Sequence, residues 1–213
     1  DESGSFGAFV SQGSLRIFQL NRVFSRLVAK AAKEEVASTM TIPEQVFNEF
    51  NVRQEIVQDR NLYTVENHEQ HATKTIFYLH GGAFVFNANI GQFHMISEFL
   101  RKGRVRVVMP DYPLAPHFQV QEIIEMAKES FLIAQARVGR ENICVVGDAA
   151  GGGLALSMCE SLRSDKLPLP SSLTLLTPWV DLSLSNPELK EAEKYEVVQS
   201  LEGLAMAAQL YRG

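Results

Sequence analysis

The stretch Ile143-Cys144-Val145-Val146-Gly147-Asp148-Ala149-Ala150-Gly151-Gly152-Gly153 limits the fold more than any other part of this chain. Its apolar run predicts a buried strand. A helical pattern follows at once, with Leu154, Met158 and Leu162 on one face. Only small residues separate the two, so the chain must turn sharply where side chains would collide. Similar apolar runs occur at residues 75–79, 104–109 and 172–176. Helical patterns lie between them, over 91–102 and then from Val120 through Ile123, Ile124, Ala127, Phe131 and Ala134. Unbroken runs predict strands covered on both faces. Strands alternating with helices predict parallel pairing through right-handed crossovers. The expected fold is α/β, a mostly parallel sheet flanked by helices.

Four further segments complete the pattern. Residues 53–57 and 61–65 are short extended candidates, expected to lead into the sheet as an antiparallel pair. Ile17, Leu20, Phe24, Leu27, Val28 and Ala31 form a wide apolar stripe within 13–33, which predicts a helix ahead of every strand. That helix reads equally as a cap or as a cover for the sheet edge. Residues 201–210 predict a last helix.

A length of 213 residues suits one sizeable domain. The net charge is −5 and no basic run exists that could follow a phosphate backbone, so nucleic acid is not an expected partner. No apolar stretch reaches the ~20 residues of a membrane-spanning helix, and no signal peptide is visible. Cys144 and Cys159 lack metal-ligand spacing and read as buried thiols rather than a disulfide. A cytoplasmic location is expected on these grounds. The chain starts at Asp1 rather than Met, which reads as a trimmed or partial product. No histidine pair has ligand spacing, so neither metal nor cofactor is expected.

Four motifs carry chemistry. Gly147 and Gly151 flank Ala149 at −2 and +2, the spacing of the nucleophile elbow G-x-S-x-G, with alanine where the serine belongs. A nucleotide-binding glycine loop does not fit, because Ala149 stands where G-x-G-x-x-G needs its second glycine. His80-Gly81-Gly82-Ala83-Phe84 follows the first core strand. A glycine pair there can aim backbone N–H groups into one hollow, as acyl transfer requires to hold an oxyanion, though it also serves an ordinary turn. The loops Asp111-Tyr112-Pro113-Leu114-Ala115-Pro116 and Thr177-Pro178-Trp179-Val180-Asp181-Leu182 lie at carboxyl ends of strands, where open α/β folds place their sites.

HGGAF, DYPLAP, GDAAGG and TPWVDLSLS, in this order, resemble the hormone-sensitive lipase-like branch of the α/β-hydrolases, a group of microbial and animal carboxylesterases. The resemblance runs from about residue 50 to the end, and the first helix is similar to the family's cap. It implies an α/β-hydrolase fold with cap helices over 1–45 and a core over 46–213. It implies that Gly81, Gly82 and Ala150 supply oxyanion N–H groups, that Ala149 occupies the nucleophile position, and that His80, Asp111, Tyr112 and Asp148 support the site. Ala83 replaces a commoner third glycine, a minor departure because that residue need not supply a donor. The acid and histidine of the triad follow the nucleophile in this family, whereas His68, His71, His80, His94 and His117 all precede Ala149. The acid and histidine are therefore expected on loops after later strands, beyond Gly213, with the sheet incomplete as given. The implied activity is hydrolysis of small carboxylic esters through an acyl-enzyme, in a form silenced at its nucleophile. Two alternatives stay open: a natural non-catalytic binder of a ligand or partner on a hydrolase scaffold, and one fragment of a split hydrolase. Homodimerisation is also left open.

Overall fold

The structure is a computed structural model that describes residues 20–36, 38–69 and 71–213. Helix α1 (Leu20–Ala31) and the short α2 (Glu44–Glu49) precede strands β1 (Phe50–Val57) and β2 (Arg60–Asn67). Then come β3 (Lys74–Leu79), α3 (Ile90–Lys102), β4 (Val105–Pro110), α4 (Val120–Val138), β5 (Ile143–Asp148), α5 (Ala150–Ser164) and β6 (Leu173–Leu176). The one-turn α6 (Leu189–Ala192) and α7 (Leu201–Arg212) follow. Ile17 and the first part of the stripe predicted over 13–33 lie outside the described residues.

The strands form one six-stranded sheet in the order β1-β2-β4-β3-β5-β6. The β1–β2 and β2–β4 pairs are antiparallel, and the three pairs from β4 to β6 are parallel. The lead-in expected from residues 53–65 is thus a hairpin. Its two-residue turn places Gln58 at φ 48° and Asp59 at φ 60°, the twist that matches right-handed strands.

Neighbouring residues of the central strands divide between two cores, as unbroken apolar runs predict. Phe77, Val108 and Val145 face the core shared with α4 and α5. Tyr78, Val107 and Val146 face the core shared with α3. The fourth run behaves differently. Leu173, Leu175 and Leu176 of β6 are only half-buried, because β6 pairs with β5 on one side and forms the sheet edge. The two cysteines, expected to be buried, are also half-buried; both are free, and burial raises both thiol pKa values.

A buried ion pair fastens the α1–α2 connection to the sheet. Arg60 donates to the Asp111 carboxylate and backbone carbonyl, both at 2.9 Å, and to the Ser38 carbonyl at 3.0 Å. The Met40 N–H completes the grip on Asp111 at 2.9 Å. Burial pushes the Asp111 carboxyl up to about 6, against the opposing pull of Met40 N–H and Arg60. Breaking a buried pair from one side leaves an uncompensated charge. Arg60→Met is therefore expected to cost about 3 kcal/mol, read as a lower denaturation midpoint, while Arg60→Met combined with Asp111→Leu recovers much of the loss.

Candidate active site

Strand β5 ends at Asp148 and α5 begins at Ala150, so Ala149 alone makes the turn. Its φ of 46° and ψ of −115° lie in a region that costs a non-glycine residue about 1–3 kcal/mol. The surroundings hold it there. Its N–H donates to Leu176 O at 3.0 Å, and its carbonyl accepts from Gly152 N–H at 3.1 Å and Trp179 N–H at 2.8 Å. The flanking glycines permit the corner. A Cβ on Gly147 would lie 2.5 Å from Gly151 O, and one on Gly151 only 2.1 Å from Leu79 O.

The β3–α3 loop meets this corner. A Cβ on Gly81 would lie 3.2 Å from the Ala149 Cβ and 2.5 Å from Asp148 Oδ2. Asp148 ties the two segments together. Its Oδ1 accepts from Gly81 N–H at 2.8 Å and from Tyr78 Oη–H at 2.5 Å. Its Oδ2 accepts from Gln92 Nε2 at 2.8 Å. Burial and the Asp148 contact push the Tyr78 phenol well above its ordinary pKa, so it donates at all working pH values. Tyr78→Phe removes one donor from a carboxylate and is expected to lower stability by about 2 kcal/mol in denaturant titration.

The peptide units of this loop are fixed one at a time. The Tyr112 hydroxyl donates to His80 O at 2.6 Å, which holds the carbonyl end of the unit whose N–H reaches Asp148. His80 Nδ1 lies 2.6 Å from Gly81 O. A carbonyl only accepts, so Nδ1 carries the proton. That bond holds the next unit, whose other end is the Gly82 N–H. The His80 ring stacks on Tyr112 at 4.3 Å. Burial lowers the His80 pKa to about 4, so the ring is neutral near pH 7.

The Gly81 N–H is therefore committed to Asp148 rather than turned to a ligand, which corrects the oxyanion role implied for it. The N–H groups of Gly82, Ala83 and Ala150 donate to no described residue. Gly82 has φ 135°, Ala83 53° and Phe84 63°, a turn of the kind that gathers successive N–H groups into an anion-binding nest. The departure at Ala83 thus falls on a residue with a free donor.

Aromatic rings brace the turn. Phe84 stacks on Tyr211 of α7 with centroids 3.9 Å apart and sits 5.8 Å from Trp179. Ala115 N–H donates to Phe84 O at 2.9 Å, which attaches the DYPLAP loop to the same turn. Asp111 does not join this network; its carboxylate holds Arg60 and Met40 instead. His68, His71, His94 and His117 are exposed. Among the described residues, no group of three or more His, Cys, Asp or Glu is arranged to hold a metal.

Sequence reasoning missed Tyr78 and Gln92. Tyr78 reads as core from its place in an apolar run. Gln92 had a legible signal, since Asn89-x-x-Gln92 is a capping box. Its Oε1 accepts from Asn89 N–H at 2.8 Å, which leaves Nε2 free to reach Asp148.

The family model described as alpha/beta hydrolase fold matches residues 76–213, which contain the whole of this arrangement. The chain belongs to the α/β-hydrolase family. An esterase of Acinetobacter venetianus is 30% identical over 142 residues, covering 66% of this chain and 46% of that protein. A triacylglycerol lipase of Mycobacterium tuberculosis is 35% identical over 105 residues, covering 49% of this chain and 24% of that protein. The chain thus spans half or less of the length of these relatives. Among solved structures, an esterase from the bacterial hormone-sensitive lipase family superposes with a TM-score of 0.77 over 98% of this chain and 69% of that one. Their identity is 20%, so this likeness speaks to the fold. In the described sheet the elbow follows β5, between β3 and the edge strand β6.

Proposed function

We propose that this chain is the oxyanion-binding and nucleophile-presenting part of a carboxylic ester hydrolase, silenced because position 149 holds alanine. The strained backbone at Ala149, pressed against Gly81 between two obligatory glycines, carries this reading. In the parent reaction a serine oxygen at 149 attacks the ester carbon while a base takes its proton. The carbonyl oxygen becomes an oxyanion and receives the N–H groups of Gly82, Ala83 and Ala150. The positive end of α5 adds to their field. Collapse expels the alcohol and leaves an acyl-enzyme, which water then hydrolyses.

In this reading His80 is a positioning residue and not the base, since its Nδ1–H is given to Gly81 O and burial keeps it neutral. Short esters are the proposed substrate class, and two free thiols suit a reducing, cytoplasmic setting. Restoring the nucleophile tests the proposal. The complete gene product carrying Ala149→Ser should release p-nitrophenol from short-chain p-nitrophenyl esters, and a folded but inert variant would reject it. The alanine also favours a second reading, a scaffold that binds acyl ligands without turnover. That reading requires saturable binding of a short ester by the unaltered protein and no activity in the serine variant.

A further inference from the structure

Helix α1 differs in charge from the rest of the molecule. The chain as a whole carries −5, yet Leu20–Ala31 contains Arg22, Arg26 and Lys30 and no acid. One side of α1 is anchored. Val28 is fully buried, Phe24 meets Phe86 edge-on at 6.2 Å, and Ser25 Oγ lies 2.6 Å from Ser200 Oγ at the start of α7. The other side faces outward. Val23 and Leu27 are 39% and 48% exposed, one helical turn apart. Arg26 and Lys30 are exposed beside them and form no ion pair with a described residue.

We propose that this outer face of α1 docks on an anionic lipid surface. Two observations select that occupant. Cations alone would suit any polyanion, but an apolar pair between them gains free energy only where it can leave water, as at the headgroup–acyl boundary. Long basic side chains flanking such a pair keep their charges at the headgroups while the stems cover apolar surface. The remainder of the molecule is acidic and is repelled by the same surface. Attraction is therefore confined to one helix, and the docked orientation is fixed. The negatively charged cytoplasmic leaflet supplies the chemistry required. Phe24 touches Phe86 of the β3–α3 loop, so docking would bring the elbow side near lipid esters; only this last consequence rests on the hydrolase reading.

Cosedimentation of the complete gene product with lipid vesicles, against a control without vesicles, tests the proposal without any activity measurement. The protein should pellet with phosphatidylcholine vesicles containing phosphatidylglycerol, remain in solution with phosphatidylcholine alone, and be released by high salt. The R26E/K30E variant should bind the anionic vesicles about tenfold more weakly or worse. The V23S/L27S variant should also bind more weakly while keeping the salt dependence. Both variants alter exposed positions, and unchanged far-UV circular dichroism shows that they fold. Binding indifferent to phosphatidylglycerol, or undiminished in folded R26E/K30E, overturns the proposal. So does tight binding to soluble poly-glutamate with none to vesicles, which would assign the face to an acidic protein.

Discussion

Ala149→Ser in the complete gene product is expected to produce the largest change of any single substitution, from background to roughly 10⁴–10⁶-fold faster hydrolysis of short p-nitrophenyl esters. The magnitude follows from what is already in place. The backbone strain at position 149 is present with alanine, so serine adds one oxygen without a new conformational cost. The free N–H groups of Gly82, Ala83 and Ala150 need no reorganisation to receive an oxyanion. Alone they give binding and weak polarisation, because no bond to the acyl carbon can form. The rate of p-nitrophenol release, compared with that of the parent, measures the effect.

Gly151→Val is expected to prevent the elbow from closing at all. A Cβ there lies 2.1 Å from Leu79 O and 2.4 Å from His80 O, and both are backbone atoms. Overpacking in a core that can shift costs about 1–3 kcal/mol. Here the carbonyls belong to the end of β3 and to the peptide unit held by Tyr112, so relief would break the sheet or the loop. The cost should exceed that range and consume most of a stability of roughly 5–15 kcal/mol. Expression as an aggregate, or loss of a cooperative denaturation transition, would show it. Cooperative unfolding near the parent's midpoint would mean that the corner is looser than the distances indicate.

The sheet was legible because its strands are covered on both faces. Runs such as Thr75–Leu79 cannot be half-exposed, and the alternation with helices admits only a parallel arrangement. The elbow was legible because its glycines answer to backbone contacts, which depend on local spacing. Half-burial of β6 agrees with the incomplete sheet expected from the sequence, since Leu173–Leu176 reads like a central strand and stands at the edge of the described sheet. The role of Gly81 escaped sequence reasoning. Its N–H is claimed by Asp148 at the end of the neighbouring strand β5, and no spacing along the chain records a contact 67 residues away. Asp111 has the same history: it stands in a motif beside Tyr112, but its partner Arg60 comes from the hairpin.

The most direct measurement is to treat the Ala149→Ser protein and its unaltered parent with a fluorophosphonate and locate the adduct by peptide mass spectrometry. A single adduct on the hydroxyl introduced at position 149, absent from the parent, is the predicted result. A folded serine variant that stays unlabelled there, or that takes the label only at some other serine, would contradict the assignment of this corner as the seat of the nucleophile.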